Sequence, residues 1–519
     1  MIGLCLCATA FAADIPGGSA KRDSAEAQLA ARLDAALHGL DASGAVFAAR
    51  VVDLSDGREL YAHNVDRPMM PASNGKLAND ASGLEHFGPR HRFMTYLAVD
   101  GDYLWLIGTG DPACGDPRIA IEHDEKPTTM LDRWADALRA RGITHIRGKL
   151  YFDDGLFDDK WIAPTWFKGY LTDWYAAPVT ALTFNDNCID TMLFPSEPGQ
   201  PARLDVVPPT TNVARIINHA VTGSGGEAVS IRRAANENVF TLDGVVVKQT
   251  VAESKPVTDP GAFFAGALRT NLASHGITID GPTERAPRDL ARRTWPALVG
   301  GPLKDLDQDE HTAAPDWRVV AVHATAMADV LGRINKNSQN LFAEAMCKMQ
   351  GRDWNLAHGK DQPGSWAAGG EAVHDFLRRH GIDDSHYVLV DGSGLSRENR
   401  VTARLLTDLF AAMAKHPDAA TFRNSLTICG QDGTLRKRMT DIAGRVRGKT
   451  GSIGGVRTLS GYATTDDGRT LALSILFNNA EEHEAQCEHL ADDACRVLVQ
   501  WPALGTSGRS PTTRPASPR

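Results

Sequence analysis

Three short motifs, far apart in the chain, constrain this sequence more than anything else in it. Ser73-Asn74-Gly75-Lys76 is its only Ser-x-x-Lys. Ser338-Gln339-Asn340 begins 265 residues after Ser73, and Lys449-Thr450-Gly451 another 111 residues on. Residues three apart on a helix share a face, so the Lys76 amine can reach the Ser73 hydroxyl. A serine hydroxyl is a poor nucleophile until a neighbouring base takes its proton. A partly buried lysine near other cations can have its pKa lowered enough to be that base. A serine at a helix N-terminus also has the positive end of the macrodipole available for a developing oxyanion. Ser338 adds a hydroxyl that can relay a proton, and Asn340 a carboxamide that can orient both the lysine and a substrate amide. Lys449, Thr450 and Gly451 supply a cation, a hydroxyl and close backbone approach, which suits a substrate carboxylate beside an extended peptide. The backbone N–H of Ser452 can help form an oxyanion hole. Singly, each motif has a plainer reading: a capping serine, a loop capping the helix that follows, a lysine on an edge strand. Together, once each and in this order, they are far more specific than any one of them alone.

The pattern around the motifs places them in one split unit. Residues 22–41 read as an amphipathic helix with Leu29, Leu33, Ala36 and Leu37 on one face. Segments 45–52 and 59–63 flank Ser55-Asp56-Gly57 as a hairpin. A helix is expected from Ser73. Near the other end, 445–449, 456–464 and 470–477 read as successive strands and 481–498 as a closing helix. Helix and strands from the start are therefore expected to join strands and helix from the end in one sheet.

The stretch from 93 to 304 has another texture. Short strand-like runs (103–107, 148–152, 202–207, 229–232, 239–249) alternate with Gly and Pro turns, and 129–141 is the one strong helix pattern. This reads as an inserted, mostly β module. The division expected is 22–92 plus 305–501 as the catalytic domain, 93–304 as the insertion and 502–519 as a disordered tail rich in Pro, Ser and Thr.

Composition narrows the class. A length of 519 residues suits three or four domains, or one large domain carrying insertions. Hydrophobic residues at 42% and charged residues at 23% exclude a disordered or fibrous chain. With 55 Lys+Arg against 64 Asp+Glu, a net charge of -9 argues against a nucleic-acid binder. No apolar run is long enough for a spanning helix. Residues 1–12 resemble the apolar and cleavage parts of a secretory signal, with Ala10 and Ala12 in small-x-small spacing and no charged head. Export to the periplasm or medium is expected. Of eight cysteines, Cys114, Cys188, Cys347, Cys429, Cys487 and Cys495 would remain; they form no CxxC pair, and their pairing cannot be read from spacing. His483 and Cys487, i and i+4 amid Glu481, Glu482, Glu484 and Glu488, allow a zinc reading, against which stands the commoner solvated acidic helix face.

The triplet is closely similar to that of penicillin-recognising serine enzymes. The chain resembles the D-alanyl-D-alanine carboxypeptidase/endopeptidase family, the low-molecular-mass class C penicillin-binding proteins. Further segments carry the resemblance: Pro71-Ala72-Ser73, Gly108-Thr109-Gly110-Asp111-Pro112, Tyr175 to Leu182, Asn185-Asp186-Asn187-Cys188, Asp391 to Ser396, and Gly430 to Leu435. It implies an α/β (α+β) fold: a penicillin-recognising transpeptidase/β-lactamase-like domain split by a large, mostly β insertion. It implies a serine D-Ala-D-Ala carboxypeptidase or endopeptidase acting on peptidoglycan stem peptides, with β-lactams as covalent inhibitors and no cofactor or metal. Ser73, Lys76, Ser338, Asn340 and Lys449 take the catalytic places, and Thr450, Gly451 and Ser452 bind substrate. A class A β-lactamase also needs a deacylating Glu-x-x-x-Asn, which Glu371 to Asp375 does not supply, so rapid β-lactam hydrolysis is not expected.

Two departures stand out. Gln339 occupies a place usually held by Asp, with its side chain expected to point away from Ser338 and Asn340. The helix after Lys76 reads Leu77-Ala78-Asn79-Asp80-Ala81-Ser82-Gly83-Leu84, more polar than its counterparts. Asn, Asp and Gly disfavour a helix by fractions of a kcal/mol to about 1 kcal/mol each. A catalytically degenerate, peptidoglycan-binding homologue, and a β-lactamase or esterase on the same scaffold, remain the alternatives.

Overall fold

The computed structural model describes residues 17–40, 44–209, 213–226, 228–234, 236–306 and 318–501. The signal-like segment 1–12 and the tail 502–519 lie outside the described residues.

The two ends of the chain do build one sheet. Its order is Thr427–Ile428, Val446–Ile453, Val456–Thr464, Thr470–Asn478, Val46–Asp53, Glu59–His63, all antiparallel. Val46 pairs with Asn478 and Asp53 with Leu471, so strands more than 400 residues apart lie side by side. Side chains alternate between the faces of a strand. Phe47, Ala49 and Val51 point with Leu471, Leu473 and Ile475 toward the helices Gly17–Leu37 and Glu484–Gln500. Ala48, Ala472 and Leu476 point the other way, into a core shared with the helices Lys76–Phe87, Asn340–Ala357 and Ala403–Lys415. The first helix begins at Gly17 and ends at Leu37, with Leu29, Leu33 and Leu37 each 1% exposed.

A five-stranded mixed sheet lies beside this core, ordered Thr283–Arg285, Leu150–Asp153, Tyr103–Gly108, Arg92–Asp100, Val319–Ala326. Its last pair joins a strand that follows the helix Lys76–Phe87 to one that leads into the helix Met327–Lys336, ahead of Ser338. Two smaller sheets, centred on Cys188–Phe194 and Val239–Val246, lie farther out.

The intervening region holds a long helix that the sequence pattern misses: Pro260–Ser274. Phe263, Phe264, Ala265, Ala267, Leu268 and Leu272 are buried around it. A helix apolar on most sides sits inside a core and shows no amphipathic stripe to read. Asp259 caps it, accepting from Ala262 N at 3.0 Å. The six cysteines among the described residues are free and buried.

Candidate active site

The Ser73–Lys76 motif starts in a turn of 3-10 helix, Ala72–Gly75, that runs into the α-helix Lys76–Phe87. Ala72 has φ 45°, the left-handed region that L-residues avoid. Lys76 is fully buried at the head of the helix. Its Nζ donates to Ser73 Oγ at 2.9 Å, Asn340 Oδ1 at 2.7 Å and the Ser393 carbonyl at 2.8 Å. Three acceptors use all three ammonium hydrogens, so the amine is aimed rather than mobile.

Ser338 sits at φ 60° just before the helix Asn340–Ala357, and this turn sends successive side chains to different partners. Asn340 faces the cleft, and its Nδ2 donates to the Tyr175 carbonyl at 2.7 Å. Gln339 turns the other way, is buried, and donates from Nε2 to Asp186 Oδ2 at 2.8 Å. Ser338 Oγ accepts from Lys449 Nζ at 2.8 Å. Lys449 is fully buried on the strand Val446–Ile453 and also donates to the Thr450 carbonyl at 2.9 Å.

That strand passes almost in contact with the nucleophile turn. A Cβ on Gly451 would stand 2.2 Å from Thr458 Oγ1, 2.8 Å from the Pro71 carbonyl and 2.9 Å from Ser73 N. Only glycine fits there. Asn74 fixes the same junction, donating to the Lys449 carbonyl at 2.8 Å and accepting from Ser460 Oγ at 2.7 Å. Thr450 Oγ1 donates to Thr434 Oγ1 at 2.7 Å. Ser73, Ser338, Asn340, Thr450 and Ser452 line one cavity of about 360 Å3, with Tyr170, Trp174 and Tyr175 at its rim.

The electrostatics follow from burial. Desolvation pulls Lys76 down to about 8, against the opposing charges of Glu344, Asp80 and Asp391. Lys449 is held well below its ordinary value by burial and then by the charge of Lys76. Burial likewise raises Glu344 and Asp80, each to about 8.

All the expected site residues thus converge. Reading the sequence by motif passes over Glu344, which accepts from Trp366 Nε1 at 2.6 Å, Gly392 N at 2.7 Å and Ser393 N at 3.1 Å. It thereby holds the Ser393 carbonyl that receives Lys76. Tyr175, Ser393 and Thr434 lay inside the family-like segments, but nothing in the sequence says that a backbone carbonyl or a neighbouring hydroxyl is what each supplies. Cys487 is buried under the last helix, and among the described residues no group of three potential metal ligands includes it or His483.

The geometry can be set beside known proteins. The model of the D-Ala-D-Ala carboxypeptidase 3 (S13) family matches residues 29–306 and 307–495. A D-alanyl-D-alanine carboxypeptidase of Actinomadura sp. strain R39 is 31% identical over 493 residues, covering 90% of this chain and 83% of that protein. Carboxypeptidase DacB of Mycolicibacterium smegmatis is 26% identical, covering 87% and 80%. Among solved structures, penicillin binding protein 4 (dacB) from Haemophilus influenzae superposes with a TM-score of 0.68 at 21% identity, covering 89% of this chain and 97% of that one. The last of these is a likeness of fold.

Proposed function

This chain belongs to the D-Ala-D-Ala carboxypeptidase 3 (S13) family, and we propose that it hydrolyses the D-Ala-D-Ala end of peptidoglycan stem peptides through an acyl-enzyme on Ser73. The observation that carries this reading is the buried amine of Lys76 held 2.9 Å from the Ser73 hydroxyl and 2.7 Å from Asn340.

Ser73 Oγ attacks the carbonyl carbon of the penultimate D-Ala while neutral Lys76 takes its proton. The backbone N–H groups of Ser73 and Ser452 receive the oxyanion. Ser338, oriented by Lys449 and Asn340, passes a proton to the departing D-Ala amine, and the C–N bond breaks. Water then hydrolyses the ester and frees Ser73. Lys449 and Thr450 hold the terminal carboxylate, with Gly451 leaving room for the peptide. Two lysines in one dry pocket disfavour each other's charge. The substrate carboxylate compensates charge at Lys449, so that lysine can be protonated while Lys76 stays a base. A penicillin carries a carboxylate and a strained amide in the same relation and leaves its acyl group on Ser73.

The substrate lies outside the cytoplasmic membrane, so the enzyme works in the periplasm or the medium. No helix among the described residues is long and apolar enough to cross a membrane. The six described cysteines are free and buried.

Intact-mass spectrometry after incubation with a penicillin tests the reading. One persistent adduct is expected on the protein and none on Ser73→Ala. Absence of both adduct and drug turnover would leave the degenerate binding homologue, and fast turnover would favour a β-lactamase.

A further inference from the structure

About the sheet that joins Arg92–Asp100 to Val319–Ala326, a second group of reactive side chains comes together with no part in the acyl-transfer site. Asp111 and Cys114 lie in the turn after the strand Tyr103–Gly108, and His323 stands on Val319–Ala326, opposite Thr95 in register. We propose that Asp111 Oδ2, Cys114 Sγ and His323 Nε2 form a binding site for a thiophilic divalent cation of the zinc class, with a fourth position open to solvent.

The donor distances carry this. The three atoms all lie within 4.8 Å of one another. Cys114 Sγ is 3.6 Å from Asp111 Oδ2, and His323 Nε2 is 3.8 Å from the same oxygen. With Zn–S, Zn–N and Zn–O lengths of about 2.3, 2.05 and 2.1 Å, a tetrahedral site has S···O and N···O edges of about 3.6 and 3.4 Å. The second separation is too long for a direct hydrogen bond, yet within about half an ångström of two ligands sharing one ion. Carboxylate, thiolate and imidazole are also the three protein ligand types that zinc takes.

The surroundings are those of a ligand set. Asp111 Oδ1 is occupied by Ala113 N at 3.0 Å, which leaves Oδ2 to face the other two donors. Thr325 Oγ1 donates to Oδ2 at 3.1 Å and accepts from His323 Nε2 at 3.3 Å, and the Cys114 thiol donates to Thr95 Oγ1 at 3.3 Å, so binding an ion requires His323 to move its proton to Nδ1 and Cys114 to lose its own. His323 lines a cavity of about 500 Å3 together with His123, Glu125 and Asp329, whereas Asp111 and Cys114 are fully buried, so His323 is the side of the site nearest solvent. Binding displaces the Cys114 thiol proton to solvent.

Cobalt(II) is the probe. The purified chain, stripped with chelator, is titrated with Co2+ and followed by absorption. The expected result is a thiolate-to-cobalt charge-transfer band saturating at one equivalent, bleached by Zn2+, lost in Cys114→Ser and at least tenfold weaker in affinity in His323→Asn. Cys487→Ser should keep the band. Penicillin acylation of each variant, which uses none of these residues, reports that it is folded. No band in the unaltered chain, or a band that survives His323→Asn at unchanged affinity, overturns the site. His323 is the more exposed of the three, so its variant serves even if Cys114→Ser does not fold.

Discussion

In the proposed reaction Lys76 and Lys449 take different parts, and burial pulls both below the ordinary lysine range. With Lys76 lowered to about 8, its neutral, proton-accepting form is the minority species at pH 7. A lysine base gains competence as pH rises, so acylation of Ser73 by penicillin should climb about tenfold per pH unit below pH 8 and level off above it. Single-turnover acylation followed from pH 6 to 9 checks this, and a flat profile would remove Lys76 as the base. Gly451→Ala is expected to lower acylation at least a hundredfold, because the new Cβ would push the strand off the nucleophile turn, where Ser73 N stands 2.9 Å away. A rate within threefold of the unaltered enzyme would show that the junction can give. At this scale the sequence is most readable: Ser73, Lys76, Ser338, Asn340 and Lys449 carry side-chain chemistry in motifs that occur once. Glu344 escapes because a glutamate on a helix reads as a solvated face until its three buried donors are seen. The helpers that act through backbone carbonyls, at Tyr175 and Ser393, have no residue type to betray them.

The nucleophile helix looks wrong by propensity and right by packing. Its Asn79, Asp80, Ser82 and Gly83 are helix-unfavourable and all are buried, and Asn79, Ser82 and Gly83 meet the helix Asn340–Ala357. That partner is polar on its facing side. Ser82 Oγ donates to Gln350 Oε1 at 2.6 Å, and Gln350 Nε2 donates to Asn79 Oδ1 at 2.9 Å. Asn79 Nδ2 in turn donates to the Ala343 carbonyl at 2.9 Å. Gly83 lets the two helices close, since a Cβ there would meet Met346 Sδ at 2.6 Å. The polar residues that seemed to weaken the helix are one half of a matched pair, 268 residues apart for Ser82 and Gln350. Removing one member strands the other, so Ser82→Ala and Gln350→Ala should each cost about 1–3 kcal/mol. Because they share a hydrogen bond, the double variant should cost less than the sum by at least about 0.5 kcal/mol. Urea midpoints at constant m-value measure it, and strict additivity would mean the pair is not coupled. Tertiary pairing of this kind overrides propensity and is invisible in either segment alone, just as the evenly apolar Pro260–Ser274 helix is invisible to periodicity.

Over the whole molecule, the intervening region is tied to the catalytic parts by ion pairs, hydrogen bonds and core. Arg333 is 5% exposed and reaches Asp116 at 2.8 Å through Nε and Asp186 at 3.1 Å through Nη2. Asp186 also takes Gln339, so the segment Asn185–Asn187, with φ of 51°, 55° and 55°, braces the turn that presents Ser338. Lys348 bonds Asp158 at 2.8 Å, and Trp166 Nε1 donates to Asp391 at 2.8 Å. Phe157, Trp166 and Val179 share one apolar core with Leu77 and Phe342. Arg333→Ala strips the cation from the buried Asp116 and the half-buried Asp186, a loss of about 3–5 kcal/mol. It should also slow acylation in the fraction that remains folded, since the brace on Ser338 goes with it. The stronger expectation concerns the region as a unit. Replacing residues 110–285 by a short linker would uncover the Leu77 and Phe342 core and take away the Tyr175 carbonyl that orients Asn340. Such a chain is expected to give no soluble protein that penicillin labels. A soluble, penicillin-labelled product would show instead that the split catalytic unit is complete without what interrupts it, and that the ties described here are attachments rather than part of the site.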